Sequence, residues 1–231
     1  ADRRFIDKYL KLGQKGNKAK HASMIEGMDK SLGDIMKKLE ELKISNNTII
    51  VFMSDNGSPA RMQRNRPLRG HKISPYEGGT RVPMIVKWPG KVKESSLCDT
   101  PLIIEDIYPT FLTMAKAKDL IPKTDIDGQS FIPLLEGKKA TTNRNFIWHY
   151  PTYYAVQPYS SILRGDWKLI FHYHNQSVEL FNLKNDIGER ENLALKNPEK
   201  TKELRNLLRE ELIARKALFP ISKKTGKVIQ P

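Results

Sequence analysis

The sequence predicts an α/β fold that is followed by a small α+β subdomain. Two observations support this prediction. Helical and strand patterns alternate over residues 18–117, as they do where helices pack on a sheet. After residue 143, four short strands with turns between them precede a single helix, and this order favours an antiparallel sheet with one helix. The predicted domains are therefore residues 1–140 and residues 141–231.

Helices and strands are predicted in the first domain from the spacing of its apolar residues. Spacings of three and four between Met24 and Leu42 indicate a long amphipathic helix. Continuous β-branched and apolar runs are typical of strands that are buried on both faces. The predicted elements are a short helix over residues 1–12, a helix over 18–43, strands over 47–53 and 82–88, a helix over 102–117 and a helical turn over 131–135.

The second domain is predicted to contain short strands with turns between them. Arg164-Gly165-Asp166-Trp167 is a plausible hairpin connection, and Pro198 stands at the start of the last helix, where proline is tolerated. The predicted elements are strands over residues 145–150, 160–164, 167–173 and 177–181, and a helix over 198–218.

The formal net charge of +14 is the strongest feature of the composition. A basic protein binds polyanions, which include nucleic acids and sulfated glycans. The charge is spread along the chain without a nucleic-acid-binding motif, so we expect no nucleic acid partner. No run of eighteen apolar residues is present, and we expect no membrane span. Cys98 is the only cysteine, which leaves the redox compartment open.

Ser54-Asp55-Asn56-Gly57 follows the first predicted strand. In open α/β sheets, ligands bind beyond the carboxyl ends of strands. Asp55 and Asn56 offer a carboxylate and an amide oxygen there, which are ligands that calcium or magnesium prefers. The alternative is an ordinary Asx turn that ends in Asn-Gly. The tetrapeptide alone favours the turn over a metal site, because short motifs often match by chance.

Further motifs surround this one, and together they resemble the sulfatase family, the type I enzymes that hydrolyse sulfate esters. Gly70-His71-Lys72 and Glu77-Gly78-Gly79-Thr80-Arg81-Val82-Pro83 carry the resemblance at the centre of the chain. The other matching motifs run in family order across nearly the whole chain: His21 to Asp29, Gly33 and Leu39, Lys87-Trp88-Pro89-Gly90, Ile107-Tyr108-Pro109-Thr110, Asp127-Gly128-Gln129-Ser130, Asp166 to Ile170, Glu179 to Leu183, Asn185-Asp186, and Glu189 to Leu193.

One departure from the family pattern is important. Sulfatases carry a cysteine or serine in a C-x-P-x-R motif, which is oxidised to the catalytic formylglycine. Cys98 lacks the proline and arginine at this spacing, and neither Ser58-Pro59-Ala60-Arg61 nor Ser74-Pro75-Tyr76 replaces the motif. The family's amino-terminal Asp-Asp metal pair is also absent. The resemblance is therefore to the carboxyl-terminal half of a sulfatase, whose first domain is part of an alkaline-phosphatase-like mixed sheet.

The resemblance implies a role for four residues. Asp55 and Asn56 are expected as ligands of a calcium ion that is shared with the missing amino-terminal half. Lys72 matches the family lysine that contacts the sulfate and the leaving-group oxygen, so we expect it to be catalytic and substrate-binding. His71 is expected to bind substrate, with a surface histidine as the alternative. Formylglycine is expected in the missing half.

Two further groups surround these residues. We expect Glu77 and Arg81 to form an ion pair across Gly78-Gly79 that holds Lys72 in place. Aromatic residues follow the first strand of the second domain, where they either pack in a core or line a sugar site. These are Trp148, His149, Tyr150, Tyr153 and Tyr154.

Two hypotheses about function follow. In the first, the chain is part of a calcium-dependent sulfatase, inactive alone, that hydrolyses a sulfated sugar or an aryl sulfate. The resemblance then implies a periplasmic, secreted or lysosomal location. In the second, the chain is a non-catalytic basic module that binds sulfated glycans or other polyanions. Because its strands would lack sheet neighbours in half an enzyme, we expect the isolated chain to be poorly soluble or loosely packed.

Overall fold

A computed structural model of the chain describes residues 1–60, 65–123, 126–138 and 144–231. The described residues form two compact units. The first comprises Ala1–Met53 and Met84–Ser96, and the second comprises Ser54–Pro83 and Leu97–Pro231. The domain boundary that we predicted between residues 140 and 141 lies outside the described residues and stays a prediction.

The first unit contains two helices and a strand pair. The predicted helices are present, separated by the turn that contains Gly13. The two strands pair antiparallel, with Ile50 opposite Lys87 and Met53 opposite Met84. The elements are α1 (Ile6–Lys11), α2 (Gly16–Glu41), β1 (Ile50–Met53) and β2 (Met84–Lys87).

The prediction that these strands are buried on both faces is wrong. All four residues of β1 are only half-buried, and Ile85 in β2 is 64% exposed. Among the described residues, β1 and β2 pair only with each other, so no further strand covers their outer edges. The apolar side of α2 is exposed as well: Met28 and Ile35 lie in solvent, and the buried residues of this helix are small.

The second unit is built on the predicted four-stranded sheet, and this prediction is confirmed. Its strands follow the order β3-β4-β5-β6, and each neighbouring pair is antiparallel. The elements of this unit are α3 (Glu77–Thr80), α4 (Ile107–Met114), α5 (Ile132–Leu135), β3 (Asn145–Tyr150), β4 (Tyr159–Arg164), β5 (Trp167–His172), β6 (Ser177–Asn182) and α6 (Pro198–Ala214).

Both faces of this sheet carry an apolar core. Successive side chains of a strand point to opposite faces, so Leu169 and Ile170 of β5 belong to different clusters. The cluster that contains Leu169 also contains three leucines of α6, spaced four residues apart. These are Leu204, Leu208 and Leu212. The helix therefore covers one face of the sheet, and the other face packs around Phe146, Ile170 and Phe181.

Asp106 connects the segments that precede the sheet. Its fully buried carboxylate accepts hydrogen bonds from the Ile103 amide at 3.0 Å and the Gln129 amide at 2.8 Å. The guanidinium group of Arg144 also binds it, at 2.6 Å. A buried carboxylate is stable only when charge and hydrogen bonds compensate it. The motif at Asp127-Gly128-Gln129-Ser130 thus has a structural role.

Among the described residues, no helix combines the length and the apolar character that crossing a membrane requires.

We expect the Leu169→Ala substitution to weaken the second unit. Leu169 is fully buried, and truncation of such a leucine costs about 2–5 kcal/mol. Hydrogen–deuterium exchange of the full-length enzyme that carries this chain should show faster exchange throughout β4, β5 and β6. Leu195→Ala is the matched control because Leu195 is 96% exposed. Equal exchange rates in the two variants would contradict the assignment of this core.

Candidate active site

Two loops of the second unit are joined by backbone hydrogen bonds. The first loop, residues 54–60, follows β1 in sequence. The second loop, residues 69–81, is named the Lys72 loop here and contains α3. The amide of Gly57 donates to the carbonyl oxygen of Gly79 at 3.1 Å, and the amide of Lys72 donates to that of Ser58 at 2.9 Å. These bonds bring the segment that carries Asp55 and Asn56 against the Lys72 loop.

Glycine residues allow the two loops to approach each other. A Cβ atom on Gly57 would overlap the carbonyl oxygen of Gly78, and a Cβ atom on Gly79 would overlap that of Ser74. Backbone atoms therefore occupy the space that any side chain would need. The close approach of the loops depends on these positions being glycine.

The predicted metal ligands lie at one end of this arrangement. Asp55 is exposed and Asn56 is half-buried. The side-chain Nδ2 atom of Asn56 donates to the backbone carbonyl oxygen of Gly57 at 3.1 Å, which fixes this side chain through its nitrogen rather than its oxygen. Both oxygens fit a hard cation, but calcium takes six to eight ligands. The described part of the chain holds no cluster of three or more acidic, histidine or cysteine side chains for a metal.

Lys72 and His71 lie on the other loop. The Lys72 side chain is exposed, whereas His71 is half-buried and its Nδ1 atom lies 2.9 Å from the carbonyl oxygen of Lys72. The imidazole thus contacts the backbone of its own loop. The predicted roles of both residues, and those of Asp55 and Asn56, stay predictions. The predicted basic stretch from Arg61 to Arg69 lies partly outside the described residues, at positions 61–64.

The residue after Lys72 has an unusual backbone conformation. Ile73 has a φ of +78°, which is strained for a β-branched residue and persists only where surrounding contacts enforce it. Its carbonyl oxygen accepts a hydrogen bond from the Tyr159 hydroxyl at 3.1 Å. Burial raises the pKa of Tyr159 to about 12, so this phenol remains a donor at neutral pH. Tyr159 belongs to β4, and the sheet thereby holds the loop beside Lys72.

Tyr76 attaches the Lys72 loop to β6. Its hydroxyl donates to Glu179 at 2.7 Å, and His172 lies 2.8 Å from the same carboxylate oxygen. Burial and the hydrogen bond to Glu179 raise the pKa of Tyr76. Although burial opposes ionisation of Glu179, the hydrogen bonds from His172 and Tyr76 outweigh it and lower the pKa of this carboxyl. Arg69 stacks on the Tyr76 ring, 3.8 Å from its centroid.

A buried ionic cluster includes Glu77, the first residue of α3. The predicted pair is present: Arg81 Nε donates to Glu77 Oε2 at 2.6 Å, with Glu77 buried and Arg81 partly exposed. The structure adds Lys168 of β5, whose Nζ atom lies 2.9 Å from Glu77 Oε1 and 3.2 Å from Glu189 Oε1. The amide of Glu77 donates to Glu189 Oε2 at 2.7 Å. This ionic cluster is defined by Glu77, Arg81, Lys168 and Glu189.

The two carboxyl groups of the cluster have opposite pKa shifts. Burial opposes ionisation of Glu77, but Lys168 and Arg81 outweigh it and hold the pKa of this group below its usual value. Burial raises the pKa of Glu189 despite the attraction of Lys168. Glu77 is therefore the more firmly ionised of the two.

Sequence reasoning missed Lys168 and Glu189 as parts of this cluster. A signal was available for Lys168, because it stands within the apolar run Trp167-Lys168-Leu169-Ile170-Phe171. A charged residue in such a run needs a buried partner. The sequence does not say which carboxylate that partner is.

The aromatic residues at the end of β3 and directly after it divide into two groups. Trp148 and Tyr150 pack against the core cluster of Phe146, and His149 binds Ser160 Oγ at 2.6 Å. Tyr153 and Tyr154 are 70% and 71% exposed. Core packing thus explains the first group, and the second group is free to contact a ligand.

Comparison with known proteins gives the family. The model of the sulfatase family matches residues 2–117, and the model described as N-sulphoglucosamine sulphohydrolase, C-terminal, matches residues 71–217. A sulfatase of Formosa agariphila is 35% identical in an alignment of 206 residues that covers 81% of this chain and 37% of that protein. The chain therefore spans well under half the length of this relative.

Solved structures agree with this relationship. Ps i-CgsB, in complex with k-i-k-neocarrahexaose, is 25% identical with a TM-score of 0.79, over 91% of this chain and 46% of that one. A second structure, in complex with its substrate D-glucosamine-2-N,6-O-disulfate, is 28% identical with a TM-score of 0.72, over 93% of this chain and 46% of that one. Since each of the two family models covers about half of the chain or more, the chain belongs to the sulfatase family.

Proposed function

We propose that this chain forms the carboxyl-terminal half of a sulfatase, which hydrolyses sulfate esters together with an amino-terminal half. One observation carries the proposal. The hydrogen bonds from Gly57 to Gly79 and from Lys72 to Ser58 join the segment of Asp55 and Asn56 to the Lys72 loop. The side-chain oxygens of Asp55 and Asn56 and the exposed ammonium group of Lys72 are thus carried by two segments that are bonded to each other. Binding of a sulfate ester requires such groups close together.

Lys72 supplies the chemistry that this chain contributes directly. Cleavage of a sulfate ester leaves negative charge on the leaving oxygen and on the sulfate oxygens, and donors aimed at this charge lower the barrier. The ammonium group of Lys72 donates hydrogen bonds to the sulfate and a proton to the leaving oxygen. His71 contacts the substrate beside it.

Asp55 and Asn56 would hold a calcium ion together with ligands from the amino-terminal half. When bound, calcium neutralises charge on the sulfate oxygens. The amino-terminal half would also supply the formylglycine nucleophile, because the chain has no C-x-P-x-R motif.

A sulfated carbohydrate is the substrate class that we favour. The solved relative that holds D-glucosamine-2-N,6-O-disulfate as its substrate supports this choice. Tyr153 and Tyr154 present exposed aromatic rings in the same unit, and such rings pack on sugars. Family membership also leads us to propose a periplasmic, secreted or lysosomal location.

We expect Lys72→Ala to lower kcat of the full-length enzyme that carries this chain. Removal of one donor to the developing charge costs about a hundredfold to a thousandfold. Initial rates with 4-nitrocatechol sulfate measure this effect. Lys91→Ala is the control because Lys91 is an exposed lysine of the other unit. Near-normal turnover of Lys72→Ala would show that our assignment of Lys72 is wrong.

We expect Asp55→Ala to weaken calcium binding by the full-length enzyme, because it removes a charged ligand. Isothermal titration calorimetry with calcium measures the change. Asp99→Ala removes a similarly exposed carboxylate elsewhere and should leave the calcium affinity unchanged. Unaltered calcium affinity in Asp55→Ala would exclude Asp55 as a ligand.

The second candidate, a basic module that binds polyanions, is favoured by the net charge of +14. Near-ultraviolet circular dichroism of the isolated chain during heating separates the two candidates. A sulfatase half should give a weak signal without a sharp transition, and the amino-terminal half should restore the signal. A sharp cooperative transition of the chain alone would indicate a complete folding unit and favour the polyanion-binding module.

A further inference from the structure

We propose that Lys168 is a positioning residue for the Lys72 loop: its buried ammonium group, bound between Glu77 and Glu189, fixes the loop conformation that the reaction requires. The inference rests on the proposed function, and it assigns a role to a residue that does not reach the substrate.

The surroundings of Lys168 show that its charge acts inside the protein. Its side chain is fully buried, and the two carboxylates lie at 2.9 and 3.2 Å from Nζ. The ring of Trp148 covers a further side, with its centroid 5.9 Å from Nζ. Burial of a lysine is costly unless it is paired. The ammonium group is therefore held by a fixed set of partners on β3, α3 and the segment after β6.

A short path of bonds connects Lys168 to Lys72. Glu77, the first residue of α3, is fixed by three bonds: from Lys168 and Arg81 to its carboxylate, and from its own amide to Glu189. Gly79 follows two residues later, and its carbonyl oxygen accepts the hydrogen bond from Gly57. A shift of Glu77 therefore moves the contact that joins the two loops.

The backbone on the other side of Lys72 depends on the same cluster. Arg69 Nη1 donates to the carbonyl oxygen of Glu189 at 3.0 Å, and the carbonyl oxygen of Arg69 accepts from the Gly78 amide at 2.7 Å. Both ends of the Lys72 loop are thus attached to Glu77 or Glu189. Lys168 is the group that holds these two carboxylates together.

Charge balance explains why a lysine is needed. Two carboxylates face two cations in the cluster, Lys168 and Arg81, and Arg69 lies beside the Glu189 backbone. Without Lys168, two adjacent buried carboxylates would repel each other at neutral pH, and one of them would bind a proton as the pH falls. Glu189 is the group that would bind it, because burial already raises its pKa. Protonated Glu189 could then donate to Glu77 and restore the connection.

The test is Lys168→Met in the full-length enzyme, with rates on 4-nitrocatechol sulfate measured across pH. We expect kcat to fall about a hundredfold at neutral pH, the effect of displacing a catalytic group by about 1 Å. The ratio of variant to unaltered kcat should rise as the pH falls, because protonation of Glu189 restores the bridge. Lys184→Met removes an exposed lysine of the same unit and is expected to leave kcat unchanged.

The double variant Lys168→Met/Glu189→Gln tests whether a bridge without Lys168 restores the activity. The side-chain amide that it introduces at position 189 accepts from the Glu77 amide and donates to the Glu77 carboxylate, and the cluster regains its charge balance. We expect kcat within a few fold of the unaltered enzyme, at a ratio that no longer depends on pH. This variant decides the question alone if the single variant does not fold.

Three results would overturn the inference. Unchanged kcat in Lys168→Met would show that the loop does not depend on Lys168. A loss in the double variant as large as that expected of the single variant would show that bridging the carboxylates is insufficient. If the unaltered enzyme hydrolyses no sulfate ester, the proposed function and this inference are both wrong. If the unaltered enzyme is active and a variant gives either of the first two results, only the inference is wrong.

Discussion

Two buried carboxylates flank one buried ammonium group in the second unit, and the polar architecture around the candidate site depends on this contact. Glu77 and Glu189 come from segments that are far apart in sequence, and Lys168 of β5 holds them 2.9 and 3.2 Å from its Nζ atom. Any one of these charges alone would be unstable in this environment. Together they fix the start of α3, and the glycines that follow it determine how closely the two loops approach.

The two units differ in how they bury apolar surface. In the second unit, leucines of α6 cover one face of a four-stranded sheet, and a second cluster covers the other face. In the first unit, α2 buries only Ala19, Ser23 and Gly27, and its larger apolar side chains are exposed. A helix gains most of its stability from packing of its apolar face. The second unit therefore holds most of the buried apolar core of the described residues.

Sequence patterns predicted the elements better than their surroundings. Pro198 located the start of α6, and short runs separated by turns located β3 to β6, because these signals depend on local geometry alone. Burial of β1 was predicted wrongly, since it depends on neighbouring strands that the run itself does not specify. The pairing of Lys168 with Glu77 spans 91 positions, and nothing local identifies such a partner. The motif at Gly70-His71-Lys72 was found through resemblance, and its contacts with Ser58 required the structure.

The glycine contacts between the two loops separate the shape of the site from its chemistry. Gly57, Gly78 and Gly79 meet through main-chain atoms, which are the same whatever side chains the neighbouring positions carry. The frame thus tolerates replacement of outward-facing side chains, such as those of Asp55 and Lys72, without rebuilding. Substitution of such exposed residues can therefore change ligand preference without moving the backbone. A methyl group added at Gly57 or Gly79 would instead overlap backbone atoms and force the chain apart at this contact.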